Sequence, residues 1–260
     1  MKLLFIGDIV GAPGREAIRV LVPRVKEREG AEFVVANAEN SAGGSGVTVK
    51  IAEELFSYGV DVLTSGDHIW KKKEIAGMLD EDNRLLRPAN YPKGVPGRGW
   101  GIYEAGSAKI GIINLVGRVF MECVDCPFKA VRQIVDEIRK TTRIIMVDVH
   151  AEATSEKIAL GWYLDGEVSA IFGTHTHVQT ADEQVKPKGT AYITDVGMTG
   201  PHDSVIGRKV EQILTRFITQ LPTRFEMADE NIQMNGALVD IDEKDGLATG
   251  IKRISEKLEK

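Results

Sequence analysis

The 260-residue chain has no apolar run long enough to cross a bilayer. Its opening stretch Met1–Ile6 breaks at Gly7-Asp8, too short for the hydrophobic core of a signal peptide. A soluble, cytoplasmic protein with no membrane partner is therefore expected. Cysteine is scarce. The two residues Cys123 and Cys126 cannot build a disulfide framework and suit a reducing compartment. Their C-x-x-C spacing has no second pair to complete a zinc site, so they read as loop cysteines ahead of a helix. A basic excess is also missing: the formal charge of −5 excludes the broad phosphate-binding surface that duplex nucleic acid requires, though not a small anionic substrate. Gly7, Gly11 and Gly14 do not have G-x-G-x-x-G spacing, and Gly43-Gly44-Ser45-Gly46 lacks the P-loop lysine, so neither common nucleotide cradle is present. There are no repeats or low-complexity tracts.

What is present is rhythm. With 43% hydrophobic residues the chain can bury one large core, and one domain over 1–260 is expected. Apolar runs rich in Val and Ile predict strands near 2–7, 32–37, 60–65, 109–115, 143–149, 168–172 and 190–195, the pattern of strands covered on both faces. Between them, helical spacing predicts helices near 14–29, 48–58, 71–79, 127–140, 154–164 and 205–219, with Thr48 as an N-cap, Pro127 in a first turn and Gly59 as a stop. Pro23 is expected to kink or split the first helix. The alternation gives an α/β fold. Residues 80–100, crowded with proline and glycine, read as a long functional loop, and the cations from Lys71 to Arg98 as a patch that draws phosphate or merely faces water. The segments 231–241 and 247–253 read as a closing antiparallel pair.

Four of the five histidines follow apolar, β-branched runs. The runs end in Gly7-Asp8, Ala38-Glu39-Asn40, Gly66-Asp67-His68, Val149-His150 and Gly173-Thr174-His175-Thr176-His177. In an α/β fold, strand-end side chains collect on one rim of a sheet. Imidazoles and carboxylates without thiolates suit Mn, Fe, Co, Ni or Zn, and a shared carboxylate can bridge two ions about 3.5–4 Å apart. Extended geometry over 175–177 puts both histidines on one side. Read singly, Asp8 is as good a helix cap as a ligand.

Together these residues resemble the calcineurin-like metallophosphoesterases, and more narrowly the YmdB family of bacterial 2′,3′-cyclic-nucleotide phosphodiesterases. The resemblance extends through Arg87-Pro88-Ala89-Asn90-Tyr91, His150-Ala151-Glu152-Ala153-Thr154-Ser155-Glu156-Lys157 and residues 189–200. It implies a four-layer α/β/β/α sandwich and a site for two divalent ions, Fe or Mn foremost, with Zn, Co or Ni as alternatives. It further implies that Asp8, Asn40 and His177 bind one ion and Asp67, His150 and His175 the other. Glu39 would bridge them, a water activated between them would attack the cyclic phosphate, and His68 would donate the proton to the leaving oxygen. Position 67 departs from the family's Gly-Asn-His string. Asp67 still ligates, but its extra charge should weaken the activation of water.

The resemblance makes a homo-oligomer plausible. Two other readings of the same residues stand beside the cyclic-nucleotide phosphodiesterase: a metal-stabilised regulatory module that binds a protein or RNA, and a broader phosphomonoesterase or nucleotidase. His202 is read as a solvent-exposed loop residue, and Glu152, Ser155 and Glu156 as caps of the helix that follows.

Overall fold

The computed structural model describes residues 1–259. Along the first part of the chain run β1 (Lys2–Ile6), β2 (Asp8–Ile9), α1 (Gly11–Glu29), β3 (Phe33–Asn37), α2 (Val49–Ser57), β4 (Val62–Thr64), a 3-10 turn (Asp67–Lys71) and α3 (Ile75–Glu81). Then come β5 (Trp100–Ala105), β6 (Ala108–Val116), α4 (Pro127–Ile138), β7 (Ile145–His150), α5 (Thr154–Tyr163) and β8 (Ala170–Thr174). β9 (Gln184–Val185), β10 (Ala191–Ile193), β11 (Met198–Pro201), α6 (Val210–Thr219), β12 (Ile232–Ile241) and β13 (Ala248–Lys257) complete the described residues.

The strands form two sheets. In the first, β1, β3 and β4 run parallel, β12 lies antiparallel to β1, and β13 and β11 both pair with β12, with β2 alongside β11. In the second the order is β5-β6-β7-β8-β10-β9, parallel from β6 to β10 with antiparallel edges.

Strand alternation explains the layering, because successive side chains point to opposite faces. Leu4, Ile6, Val34, Ala36 and Leu63 face Ile18, Leu21 and Val22 of α1, Leu55 of α2 and Leu79 of α3. Their neighbours Leu3, Phe5, Phe33, Val35 and Val62 turn the other way, onto Ile110, Ile112, Met146, Phe172 and Ile193 of the second sheet. Phe5 and Phe172 stack at 4.7 Å across this inter-sheet core, and full burial of such a side chain contributes about 1.5–3 kcal/mol. The far face of the second sheet, with Ile145, Val147 and Ile171, packs on Val131, Val135 and Ile138 of α4 and Leu160 of α5. The result is a four-layer α/β/β/α sandwich, the architecture that the resemblance implies.

One expectation needs correction, and one strand had no sequence signal. Helix α1 starts at Gly11 and is not split at Pro23. Pro23 lies on the exposed face, where water can take up the carbonyl left without its donor, while buried residues on both sides of it anchor the helix to the sheet. The stretch 80–100 is followed by an edge strand, β5, whose side chains are mostly half-buried and so give no continuous apolar run. The cap at Thr48 forms as expected, its hydroxyl accepting from Ile51 N–H.

Candidate metal centre

Because β1, β3 and β4 are parallel to one another, and β7 to β8, the C-terminal ends of each group share a rim. Buried polar residues tie the two rims together: Asn37 donates from Nδ2 to Asp148 Oδ2 at 3.0 Å, Thr64 Oγ1 donates to the same oxygen, and Ser65 N–H donates to Asn114 Oδ1. Every ligand-type residue singled out in the sequence lies at this junction or beside it.

The first sheet contributes carboxylates through tight main-chain turns. Asp8 is buried and does not cap a helix, since Val10 occupies the N-cap without a side-chain bond. Its Oδ2 accepts His175 N–H at 3.1 Å. Beyond β3, the Asn37 side-chain carbonyl accepts Glu39 N–H, turning Glu39 inward. Gly66 precedes the 3-10 turn that carries Asp67 and His68; a Cβ at 66 would collide with Glu39 Oε2 and with the His150 ring. Only glycine lets the turn approach so closely.

The second sheet contributes imidazoles. His150 closes β7, and its Nε2 lies 3.2 Å from Glu39 Oε2, 3.3 Å from Asp67 Oδ1 and 3.0 Å from His175 Nδ1. These four residues bring one ligand atom each within 4.8 Å of one another.

Hydrogen bonding fixes which ring nitrogens face inward. Thr174 Oγ1 donates its single proton to Asp148 Oδ1, so at 2.9 Å it must accept from His150 Nδ1–H, leaving Nε2 as the lone-pair nitrogen. His175 Nε2 faces Glu152 Oε2 at 3.2 Å, a carboxylate that can only accept, so the His175 lone pair is on Nδ1. His177 Nδ1 donates to the Ile206 carbonyl, which frees its Nε2. With neutral rings, four acceptors converge on one point with no donor among them, and Asp8 Oδ1 and Asp67 Oδ1 are buried without a hydrogen-bond partner. This donor set fits a divalent cation.

The carboxylates that would hold a cation also favour a proton on His150 Nε2. Burial opposes charge on His150, but Glu39, Asp67 and Asp8 outweigh it and raise the ring well above the usual range. His175 is pushed down to about 4 by burial and by the charge of His150. Asp8 is pushed up to about 7, chiefly by burial.

Asp8 lies against the four-residue cluster, its Oδ1 3.7 Å from His150 Nδ1, whereas Asn40 and His177 pair with each other outside it. Asn40 Nδ2 donates to His177 Nε2 at 2.8 Å, and Asn40 Oδ1 accepts from His68 Nδ1 at 2.9 Å. His175 and His177 do not share a strand face as the extended geometry predicted. β8 ends at Thr174, and both histidines have left-handed backbone, φ 97° and 66°, which sends one ring to His150 and the other to Asn40.

Several residues that hold the site were not identified from sequence. Asp195 Oδ2 accepts from Thr176 N–H, Thr176 Oγ1 and Lys157 Nζ, the last at 2.8 Å in a fully buried ion pair, and so clamps the histidine loop. Glu156 is buried and accepts from Arg118 and Val119 N–H instead of capping α5. The cationic patch is partly consumed by structure: Arg87 donates to three carbonyls of its own loop, at Pro88, Pro96 and Gly97, and Arg84 pairs with Asp82. His202 is half-buried, bonded through Nδ1 to Gly200 O and through Nε2 to Asn235.

Residues 4–254 match the family described as YmdB-like protein. The chain is 48% identical to a 2′,3′-cyclic-nucleotide 2′-phosphodiesterase of Bacillus subtilis over 98% of its own length and 96% of the relative's. Among solved structures, it is similar to a hypothetical protein from Thermus thermophilus, with TM-score 0.93, 40% identity and 99% of both chains covered. It is also similar to a novel phosphatase from Mycoplasma pneumoniae, with TM-score 0.93 and 36% identity, covering 99% of this chain and 93% of that one.

Proposed function

The chain belongs to the YmdB-like family, and from that membership we propose that it is a dinuclear-metal phosphodiesterase that hydrolyses 2′,3′-cyclic nucleotides to 3′-nucleotides. The observation that carries this reading is the convergence of Glu39, Asp67, His150 and His175, with ring tautomers set so that only acceptors face the centre. In the proposed assignment these residues hold one ion, Asp8, Asn40 and His177 hold a second, and Glu39 serves both. Iron and manganese head the candidates, and the donor set also admits zinc, cobalt and nickel. Such a pair, when bound, supplies an activated water and neutralises phosphoryl charge.

The chain's own part is positioning and proton delivery. Asn40 and Glu39 anchor His68 through Nδ1, at 2.9 and 3.2 Å, and the Glu39 bond raises its pKa, favouring the protonated ring. His68 Nε2 would hand its proton to the 2′-oxygen as the P–O2′ bond breaks, while the water whose oxygen bonds phosphorus gives up one proton to solvent.

The test compares turnover of 2′,3′-cyclic AMP, 3′,5′-cyclic AMP and a phosphate monoester with Mn²⁺. The 2′,3′-cyclic substrate should be preferred, 3′-AMP should be the product, and a chelator should abolish turnover. Faster monoester turnover would favour the nucleotidase reading. His68→Ala should retain metal and lose turnover, and a cellular effect that survives in this variant would favour the regulatory reading.

A further inference from the structure

Strand β6 lies beside β7, with Val116 paired to His150, and Gly117 N–H donates to the His150 carbonyl at 2.9 Å. The chain then makes a turn over Arg118–Met121, closed by Met121 N–H on Arg118 O. This turn follows the end of β6, the strand paired with the one that ends in His150. It is held firmly, since the buried Glu156 carboxylate accepts both Arg118 and Val119 N–H.

Phe120 sits at the third position of this turn with φ 62°. That left-handed conformation is disfavoured for a bulky L-residue and is ordinarily filled by glycine or asparagine. Nor does burial compensate, because Phe120 is 89% exposed, the most exposed large hydrophobic residue described. Both contributions oppose folding: strained backbone and an apolar ring in water. A residue held against both, on a turn pinned just beyond the strand that pairs with His150, points to a ligand that covers it. Beside it the Arg118 guanidinium is exposed and makes no ion pair among the described residues.

We infer that Phe120 is the platform on which the nucleobase of the substrate stacks. The inference rests on the phosphodiesterase reading and adds to it a residue that reads the part of the substrate away from the reacting phosphorus. A flat aromatic surface accepts any base through its π-face, so stacking here confers a preference for nucleotides over simple cyclic phosphates with little choice among bases.

The experiment measures KM and kcat for 2′,3′-cyclic AMP and for ribose 2′,3′-cyclic phosphate, which lacks a base, together with calorimetric binding of 3′-AMP. Phe120→Ala should raise the KM for the nucleotide by about tenfold and weaken 3′-AMP binding similarly, and Phe120→Trp should restore both. The KM ratio between the abasic and nucleotide substrates, large in the native protein, should collapse toward one in Phe120→Ala. Phe120→Gly should lose affinity in the same way yet melt about 2 °C higher, because it relieves the left-handed strain. A purely structural ring would lower both.

Equal KM values in native and Phe120→Ala protein, or a lower melting temperature in Phe120→Gly, would overturn the inference while leaving the phosphodiesterase reading intact. If the native protein turns over no cyclic nucleotide with Mn²⁺, the functional reading itself fails, and stacking with it.

Discussion

The two sheets hold their halves of the site by different means. On the first sheet, Glu39 and Asp67 are aimed by main-chain turns: Asn37 gathers Glu39 N–H, His68 N–H donates back to Glu39 Oε2, and Gly66 permits the close approach. On the second, every imidazole is set by a partner on its outward nitrogen: Thr174 and Asp148 for His150, Glu152 for His175, the Ile206 carbonyl for His177. The contrast follows from the donor groups. A carboxylate offers equivalent oxygens and needs only direction, whereas an imidazole must also have its proton on the correct nitrogen. The imidazole half therefore carries a buried polar network behind it, and that network is where the molecule is most sensitive.

The comparison breaks first, if it is wrong, at the clamp behind the histidine loop. Lys157→Met leaves Asp195 as a buried charge without its partner, and unfolding free energy should fall by about 3–5 kcal/mol, read as a lower urea midpoint. A midpoint close to the native one would mean that the ion pair contributes little to holding the loop.

A smaller effect is expected from Thr174→Val, which keeps the shape but removes the acceptor of His150 Nδ1–H. Calorimetric Mn²⁺ affinity should drop about 10- to 100-fold, with rescue by Thr174→Ser. Unchanged affinity would erase the distinction between the halves.

The smallest change should come from the carboxylate half. Asp67→Asn keeps a ligating oxygen on the same turn, so metal content by elemental analysis should match the native protein and turnover should be equal or higher, since one negative charge fewer leaves water more readily activated. Loss of an ion in this variant would show that the charge at position 67, not merely its oxygen, holds the site.

Most of the fold was legible because covered strands write themselves as Val- and Ile-rich runs: β1, β3, β6, β7 and β8 fall where those runs predict. The short strands β2 and β9 and the half-buried edge β5 lack such a run. The ligand-type residues were also legible, since each ends or follows an apolar stretch. The supporting residues were less so. Asp148 did leave a signal, an acid inside the run Ile144–Val149, two positions before His150 and hence on its side of the strand. Lys157 and Asp195 left none, because a charged residue on a helix or after a strand reads as facing water unless its partner is known, and Glu156 at a helix start reads as a cap.

By itself, then, the chain's order of residues determined the alternating α/β elements, the strands covered on both faces, and the set of oxygen and nitrogen donors at strand ends. These are local matters of periodicity and side-chain chemistry. Tertiary structure alone decided which donors meet, which nitrogen of each ring carries the proton, and that His175 and His177 part company after Thr174. Those outcomes depend on partners 23 to 167 residues distant in sequence, such as Glu152 and Asp8 for His175, and no local pattern encodes a contact that only the packing of two sheets creates.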